Sequence, residues 1–370
     1  MTQRRAHINA IAGAVPGHDV HRLFIDWAEE RIADPRMRKL FLRMADRSGI
    51  EHRWSVLPPA PCGGSPAYPG GFYHGRPPST AVRMARYAEA APELALEAIE
   101  KLRTKADLEG ITHLVVASCT GFVAPGIDQI IARRLGLEGV ERTLVGFMGC
   151  YAAVSALRVA HHIVRSEPEA RVLAVTVELS SLHLQETQAL ESLLAMLQFS
   201  DGAAAALVSS RPEGLAVSHL FAASLPDSAE LIQWKIGDTG FEMTLSGEVP
   251  GRIASALQDD RVRAALYNGW SPGEVDSWAV HAGGRSILDA VEKGLELPQG
   301  ALSASRDVLA RFGNMSSATL MFVLAELLGR PDAGKGIALA FGPGLAAEGF
   351  HFERVSREKP VPAQAGKRAE

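Results

Sequence analysis

A chain of 370 residues, 47% hydrophobic and 22% charged, can bury a large core, and its length predicts two domains or one duplicated unit. The formal net charge of -4, with 38 basic and 42 acidic side chains and no long basic run, excludes an electrostatic case for nucleic acid or an anionic membrane surface. The three cysteines, Cys62, Cys119 and Cys150, do not space as a zinc ribbon or a disulfide framework and fit a reducing cytoplasm, and no apolar run approaches the ~18 residues of a spanning helix.

In chain order, Ile8 to Val15 predicts a first core strand rather than a signal segment, because Asn9 interrupts it and Pro16-Gly17 ends it. Asp19 to Ile32 carries Leu23, Phe24, Trp27 and Ile32 on one helical face. A second helix, Pro35 to about Asp46, sets Arg36, Arg38, Lys39, Arg43 and Arg47 around Leu40, Phe41 and Met44. A solvated face is the ordinary use of such charge, and a grip on phosphates is the functional one. From Pro58 to Thr80 repeated Pro and Gly predict a loop long enough to cover a site. A helix is expected from Tyr87 to Lys105, and a buried strand from Ile111 to Ser118 that runs into Cys119-Thr-Gly-Phe-Val-Ala-Pro-Gly126. Ile127 to Leu135 reads as a helix closed by Gly136.

Thr143 to Met148 reads as a short buried strand, while Ala153, Val154, Leu157 and Ala160 recur at helical spacing. Cys150 therefore falls on a strand-to-helix turn that Gly149 permits. There the unpaired N–H groups and the macrodipole favour an anion, so the expectation is a thiol made acidic by its position. The alternative is a buried structural cysteine. Arg171 to Glu178 completes a β-α-β unit, and Phe199-Ser-Asp-Gly202 turns into a small-residue strand, Ala203 to Val208.

The phase changes at Pro212 to Gly214, which divides the chain into a first half, 1–211, and a second, 212–353. A charged, Pro-containing tail over 354–370 is expected to be disordered. The second half repeats the grammar of the first: strand Ser277 to Val280, His281 at its end, Gly283 and Gly284 in the turn, and a helix marked by Ile287, Leu288, Val291 and Leu295. Arg311-Phe-Gly-Asn-Met-Ser-Ser-Ala318 opens an apolar helix ending near Gly329, and the strand Gly336 to Ala340 ends in Phe341-Gly-Pro-Gly344.

Cys150, His281 and Asn314 stand out because each borders a buried apolar element. Singly, a strand-end His is more often structural and an Asn after Gly is usually a cap. Together they offer a chemistry. An imidazole within reach takes the proton of a thiol nucleophile, and His with an Asn amide can donate to one carbonyl oxygen as an enolate or tetrahedral oxyanion forms.

At this point the chain resembles the type III polyketide synthases, the chalcone synthase-like branch of the thiolase fold. Gly149-Cys150-Tyr151-Ala152 is similar to that family's nucleophile turn, and Val280-His281-Ala282-Gly283-Gly284 with Ile287-Leu288-Asp289 to its histidine motif. Gly313-Asn314-Met315-Ser316-Ser317 is similar to its asparagine motif, and Phe341-Gly342-Pro343-Gly344-Leu345 to its C-terminal signature. The four motifs occur in the family's order, and the similarity runs from about Ile8 to Phe352.

The resemblance implies an α/β fold, the five-layered α/β/α/β/α sandwich of two similar halves, usually a homodimer. It implies Cys150, His281 and Asn314 as catalytic residues, Phe199 and Phe241 as gatekeepers between entry tunnel and cavity, and Cys119, Gly342 and Gly344 in the substrate wall. It places Arg43, Arg47, Gly283, Gly284 and Ser286 at coenzyme A, while Leu40 departs from the lysine that plant members commonly carry there. The implied reaction is iterative decarboxylative condensation of malonyl-CoA on an acyl-CoA starter held as a Cys thioester, then cyclisation, with no metal, cofactor or acyl carrier protein. Cys119-Thr120-Gly121-Phe122 looks like bacterial members that take fatty acyl starters to alkylpyrones or alkylresorcinols. Three readings compete: a single-condensation β-ketoacyl synthase III, a papain-like protease and an inactive thiolase-fold binding protein. The protease lacks its cysteine context and a signal segment here, and retention of all three polar residues disfavours the binding protein.

Overall fold

The computed structural model describes residues 5–355. The tail expected from 354 lies outside them, except that Arg354 and Val355 complete the last strand. The first half comprises β1 (Ala6–Ala14), the short β2 (His18–Asp19), α1 (His21–Arg31), α2 (Pro35–Asp46), β3 (Trp54–Ser55), α3 (Thr80–Arg103), β4 (His113–Ser118), α4 (Ile127–Arg134), β5 (Glu141–Gly146), α5 (Ala152–Ser166), β6 (Arg171–Leu179), α6 (Leu190–Met196) and β7 (Asp201–Ser209). There follow β8 (Gly214–Ser224), a hairpin of β9 (Ile232–Gly237) and β10 (Gly240–Leu245), α7 (Val249–Ala256), α8 (Asp260–Tyr267), β11 (Ser277–Val280), α9 (Arg285–Leu295), α10 (Ser303–Phe312), α11 (Ser317–Gly329), β12 (Lys335–Gly342) and β13 (Ala346–Val355).

Nine strands hydrogen-bond in the order β11-β12-β13-β8-β1-β7-β6-β4-β5. β1 joins the halves, since its Ile8 faces Val208 of β7 on one side and Leu215 of β8 on the other. Side chains alternate across a strand, and here both faces are covered. Leu173, Val175 and Val177 of β6 pack under α3 and α4, whereas Val172 and Ala174 turn to the opposite face and meet α5 and α11. Trp278, Val280, Ile337 and Leu339 form a third cluster under α7 and α9. The apolar clusters thus alternate with strands and helices as the five-layered thiolase fold requires, with α5 and α11 in the middle. α11 has apolar residues buried around most of its circumference, which fits a helix enclosed by protein.

Two expectations are corrected. α3 starts two turns before Tyr87, at a Ser79 cap, because Arg83 is buried there and not solvated. Its guanidinium donates to the carbonyls of Pro78, Leu182 and Leu184, which no apolar periodicity reveals. β5 is mostly exposed, with Leu144 at 46%, because it is an edge strand with β4 as its one neighbour in the sheet.

The central layer carries a stability expectation. Phe350 of β13 is fully buried among residues of both halves. Phe350→Ala is expected to cost about 3–5 kcal/mol and to lower the thermal unfolding midpoint measurably.

Candidate active site

Cys150 sits in a single 3-10 turn, Gly149–Tyr151, that runs directly into α5. The turn needs glycine. Gly149 has φ +77°, and a Cβ there would lie 2.3 Å from Pro343 Cδ. Pro343 belongs to the turn after β12, and a Cβ on Gly342 would stand 2.6 Å from the Tyr151 ring, so the C-terminal signature lies against the nucleophile turn. Gly344 completes that turn at φ +71°.

His281 follows β11 with its backbone N–H donating to Leu339 O and only 1% of its surface exposed. Neither ring nitrogen has a hydrogen-bond partner. Asn314 is held through its main chain, which bridges Phe199: Asn314 N–H donates to Gln198 O at 2.8 Å, and Ser200 N–H to Asn314 O at 2.9 Å. Its Nδ2 donates to Gly283 O at 3.1 Å, and its Oδ1 accepts from Ser316 N–H at 2.9 Å. Ser316 Oγ in turn lies 3.8 Å from Cys150 Sγ. A chain of contacts therefore links the thiol of the first half to the His and Asn loops of the second.

The electrostatics correct one expectation. Burial pushes the Cys150 thiol up to about 12, although donors at Ser316 and Asn314 pull the other way. Burial also lowers His281 to about 4. Desolvation thus holds both groups toward their uncharged forms and opposes the pull of the helix start on the thiol.

Cys119, Thr120, Gly149, Cys150, Phe199 and Trp234 help enclose a chamber of about 20 Å³ at the nucleophile, completed by Ile232, Met243, Ser316 and Pro343. Behind Ser180, Phe199, Trp234 and Met243, which line both spaces, lies a cavity of about 350 Å³ with Phe24, Leu57, Leu184 and Met196 in its wall. Phe241 lines this larger space but not the chamber. It is buried and stacked on His183 with ring centroids 4.2 Å apart. Met243, two residues on and so on the same face of β10, faces the chamber beside Phe199. Sequence reasoning missed Met243, Trp234 and Ser316; the alternation of a strand around Phe241 was the one signal for Met243.

Cys119 is a wall held from both sides. Its Sγ accepts from Gly149 N–H at 2.9 Å, Trp234 Nε1–H donates to its carbonyl at 2.9 Å, and burial pushes its thiol up. Glu178 of β6, fully buried, accepts from Cys119 N–H, Thr120 Oγ1 and Ser317 Oγ, the last from α11. Burial raises its carboxyl to about 7.

A separate cleft of about 470 Å³ is lined by Met44, Arg47, Ser48, Gln198, Arg285, Ser286 and Asp289. It gathers Arg47 and Ser286, and adds Arg285, which the sequence did not single out. Arg43 stands exposed one turn before Arg47 on α2. Gly283 and Gly284 form the loop between His281 and α9, where a Cβ on Gly284 would strike Gln198 Oε1 at 1.9 Å. One group of metal-type ligands occurs among the described residues, His113, Glu141 and Glu167. It lies at the start of β4, about 17–20 Å along the strand from the end that leads to Cys119.

Two outcomes follow from these environments. If His281 is the proton acceptor for Cys150, His281→Ala is expected to slow iodoacetamide labelling of Cys150 at pH 7 at least tenfold and to move its pH profile to higher pH. Glu178, with a folded pKa raised above 4.5, favours the fold most below pH 4.5 and loses that contribution as pH rises through about 7. The thermal midpoint of wild type relative to Glu178→Gln is therefore expected to fall between pH 5 and pH 8.

The geometry can be set beside known proteins. Residues 2–212 match the family Chalcone and stilbene synthases, N-terminal domain, and residues 217–356 match its C-terminal domain. An alpha-pyrone synthesis polyketide synthase-like Pks18 of Mycobacterium tuberculosis is 31% identical over 351 residues, covering 90% of this chain and 86% of that protein. A 1,3,6,8-tetrahydroxynaphthalene synthase of Streptomyces peucetius subsp. caesius is 32% identical over 364 residues, covering 93% and 92%. Among solved structures, PKS-I of the brown alga Ectocarpus siliculosus superposes with a TM-score of 0.86 at 28% identity over 96% of this chain and all of that one. The C-terminal type III polyketide synthase domain of Steely1, from Dictyostelium, gives 0.84 at 26% over 95% and 99%. With both halves matched to one family and relatives spanning nearly the whole chain, this protein belongs to the chalcone and stilbene synthases, the type III polyketide synthases of thiolase fold, and is an acyltransferase.

Proposed function

We propose that the enzyme extends a fatty acyl-CoA starter with malonyl-CoA and cyclises the product to an alkylpyrone or alkylresorcinol, with the first half (1–211) supplying Cys150 and the second (212–353) supplying His281 and Asn314. The observation that carries this reading is Cys150 on a chamber walled by Phe199, Ile232, Trp234 and Met243, with Ser316 beside both its thiol and Asn314, and with both nitrogens of the buried His281 free of protein partners.

In the first stage Cys150 Sγ attacks the starter thioester carbonyl and its proton passes to His281. Backbone N–H groups at the start of α5 meet the tetrahedral oxyanion, the C–S bond to coenzyme A breaks, and His281 returns the proton to the departing thiolate. In the second stage the carbon–carbon bond to the malonyl carboxylate breaks and carbon dioxide leaves. The electron pair enters the thioester carbonyl, whose oxygen accepts hydrogen bonds from a neutral His281 and from the Nδ2 proton of Asn314 that Gly283 does not use. A neutral imidazole suits this, since burial holds its pKa near 4. The apolar Phe199 wall disfavours the carboxylate and favours its loss. The resulting carbanion attacks the Cys150 thioester carbonyl, the bond to Sγ breaks and leaves the thiolate, and the extended chain, now on coenzyme A, is transferred back to Cys150 with release of coenzyme A before the next round.

The cavity of about 350 Å³ behind Phe199 is of ligand size and supports an acyl chain beyond the chamber. The narrow chamber beside Cys119 and Trp234 favours a second reading, a malonyl starter and a naphthalene product of the kind that names the Streptomyces relative. Substrates are CoA thioesters, with Arg43, Arg47, Ser286 and the Gly283-Gly284 loop on the coenzyme; no cofactor is required, and the working unit is a cytoplasmic homodimer. No helix among the described residues is long and apolar enough to cross a membrane.

The test is incubation with malonyl-CoA and short, aromatic and long-chain acyl-CoAs, followed by mass spectrometry. Pyrones or resorcinols whose mass tracks a long-chain starter, absent with Cys150→Ala, are expected. A tetrahydroxynaphthalene from malonyl-CoA alone would favour the second reading, and the absence of any extension would overturn both.

A further inference from the structure

The exposed face of α2 is chemically lopsided. Arg36, Lys39, Arg43 and Arg47 recur every three or four residues and form one stripe, and Met37, Leu40 and Met44 form a second beside it. Met37 is 43% and Met44 44% exposed, unusual for side chains this apolar on a surface already rich in charge. Among the described residues none of those four cations makes an ion pair, whereas Arg22, Arg31, Arg285 and Arg306 nearby all do. A chain of net charge -4 has thus gathered unneutralised positive charge on one helix.

That helix ends at the cleft lined by Met44, Arg47, Arg285 and Ser286. The stripe from Arg36 to Arg47 is about 16 Å long at 1.5 Å per residue. The phosphates of one coenzyme A are gathered on a single nucleotide, and the basic residues at the cleft are Arg47 and Arg285, with Arg43 one turn back on the helix. They leave Arg36, Lys39 and Met37, at the far end, without an occupant.

We propose that the distal part of α2 docks an acidic acyl carrier domain, which delivers a starter on its phosphopantetheine arm through the cleft to Cys150. This rests on the function proposed above and adds a second donor to it; coenzyme A thioesters remain substrates. Charge complementarity selects an acidic helix, the two methionines give it an adaptable apolar contact, and continuity with the cleft places its arm at the thioester entrance. The chemistry is transthioesterification: a bond forms between Cys150 Sγ and the acyl carbon, the carbon–sulfur bond to pantetheine breaks, and the Cys150 proton leaves with the pantetheine thiol. No oxidant or reductant enters. An anionic membrane is the less favoured occupant, because the exposed apolar residues of the face are two methionines.

The experiment compares acylation of Cys150 by a bacterial acyl carrier protein loaded with a decanoyl chain and by decanoyl-CoA, followed by intact mass. Wild type and Arg36→Glu/Lys39→Glu are compared, both substitutions being exposed and helix-compatible. The expected result is acylation from both donors in wild type. In the variant the carrier-dependent rate falls at least tenfold while the coenzyme A rate stays within twofold, and in wild type the carrier rate falls steeply with added salt. Acylation from decanoyl-CoA but not from the carrier overturns the proposal, as does an equal loss from both donors. Binding to anionic phosphatidylserine vesicles with no carrier transfer would assign the face to a membrane instead. Failure with both donors in wild type would count against the function proposed above.

Discussion

Desolvation at the seam between the two halves governs this site. A thiol and an imidazole are held where desolvation disfavours charge on either: the thiol is pushed up to about 12 and the imidazole down to about 4. In the proposed reaction charge arises as a pair, by a proton moving from Cys150 to His281, or on a substrate oxygen as its bonds rearrange. In low-dielectric surroundings each donor aimed at such a charge is worth more than it would be in water. A site that is inert until a thioester enters suits chemistry whose intermediates water would destroy.

Holding polar groups in a dry seam requires that their scaffolding be satisfied. β1 pairs with both β7 and β8, so the halves share a sheet, and α5 and α11 fill the layer between. Glu178 then ties the Cys119 turn to Ser317 at the head of α11, and the Phe199–Asn314 bridge ties the chamber wall to the Asn314 loop. The close approach of Pro343 to Gly149 locks the nucleophile turn from the far end of the chain. Each link crosses from one half to the other, so placement of the reacting groups and association of the halves are the same event.

The sequence made much of this legible, and unevenly. α2 is legible as Pro35 to about Asp46 because its periodicity is strong, and the structure adds an Asp34 cap with Pro35 in the first position. The Cys150 turn and the His281 loop were legible because glycines punctuate short strands. What escaped depends on partners far away in the chain. The burial of Arg83 needs the carbonyls of Leu182 and Leu184, and the exposure of β5 needs its place at the sheet edge. Local pattern also cannot tell which residue of β10 faces the chamber: the resemblance implies Phe241, while Met243 lines the chamber and Phe241 the larger cavity. The pull of a helix start on the Cys150 thiol is visible in sequence, but the desolvation that opposes it is not.

The most direct test of a two-stage site separates its stages. With malonyl-CoA alone, carbon dioxide release needs the enolate holders but not the nucleophile, so the Cys150→Ala protein should still produce acetyl-CoA and carbon dioxide, whereas His281→Ala and Asn314→Ala should lose most of that activity. Loss of decarboxylation in Cys150→Ala, with the fold intact, or its persistence without both His281 and Asn314, would contradict the account.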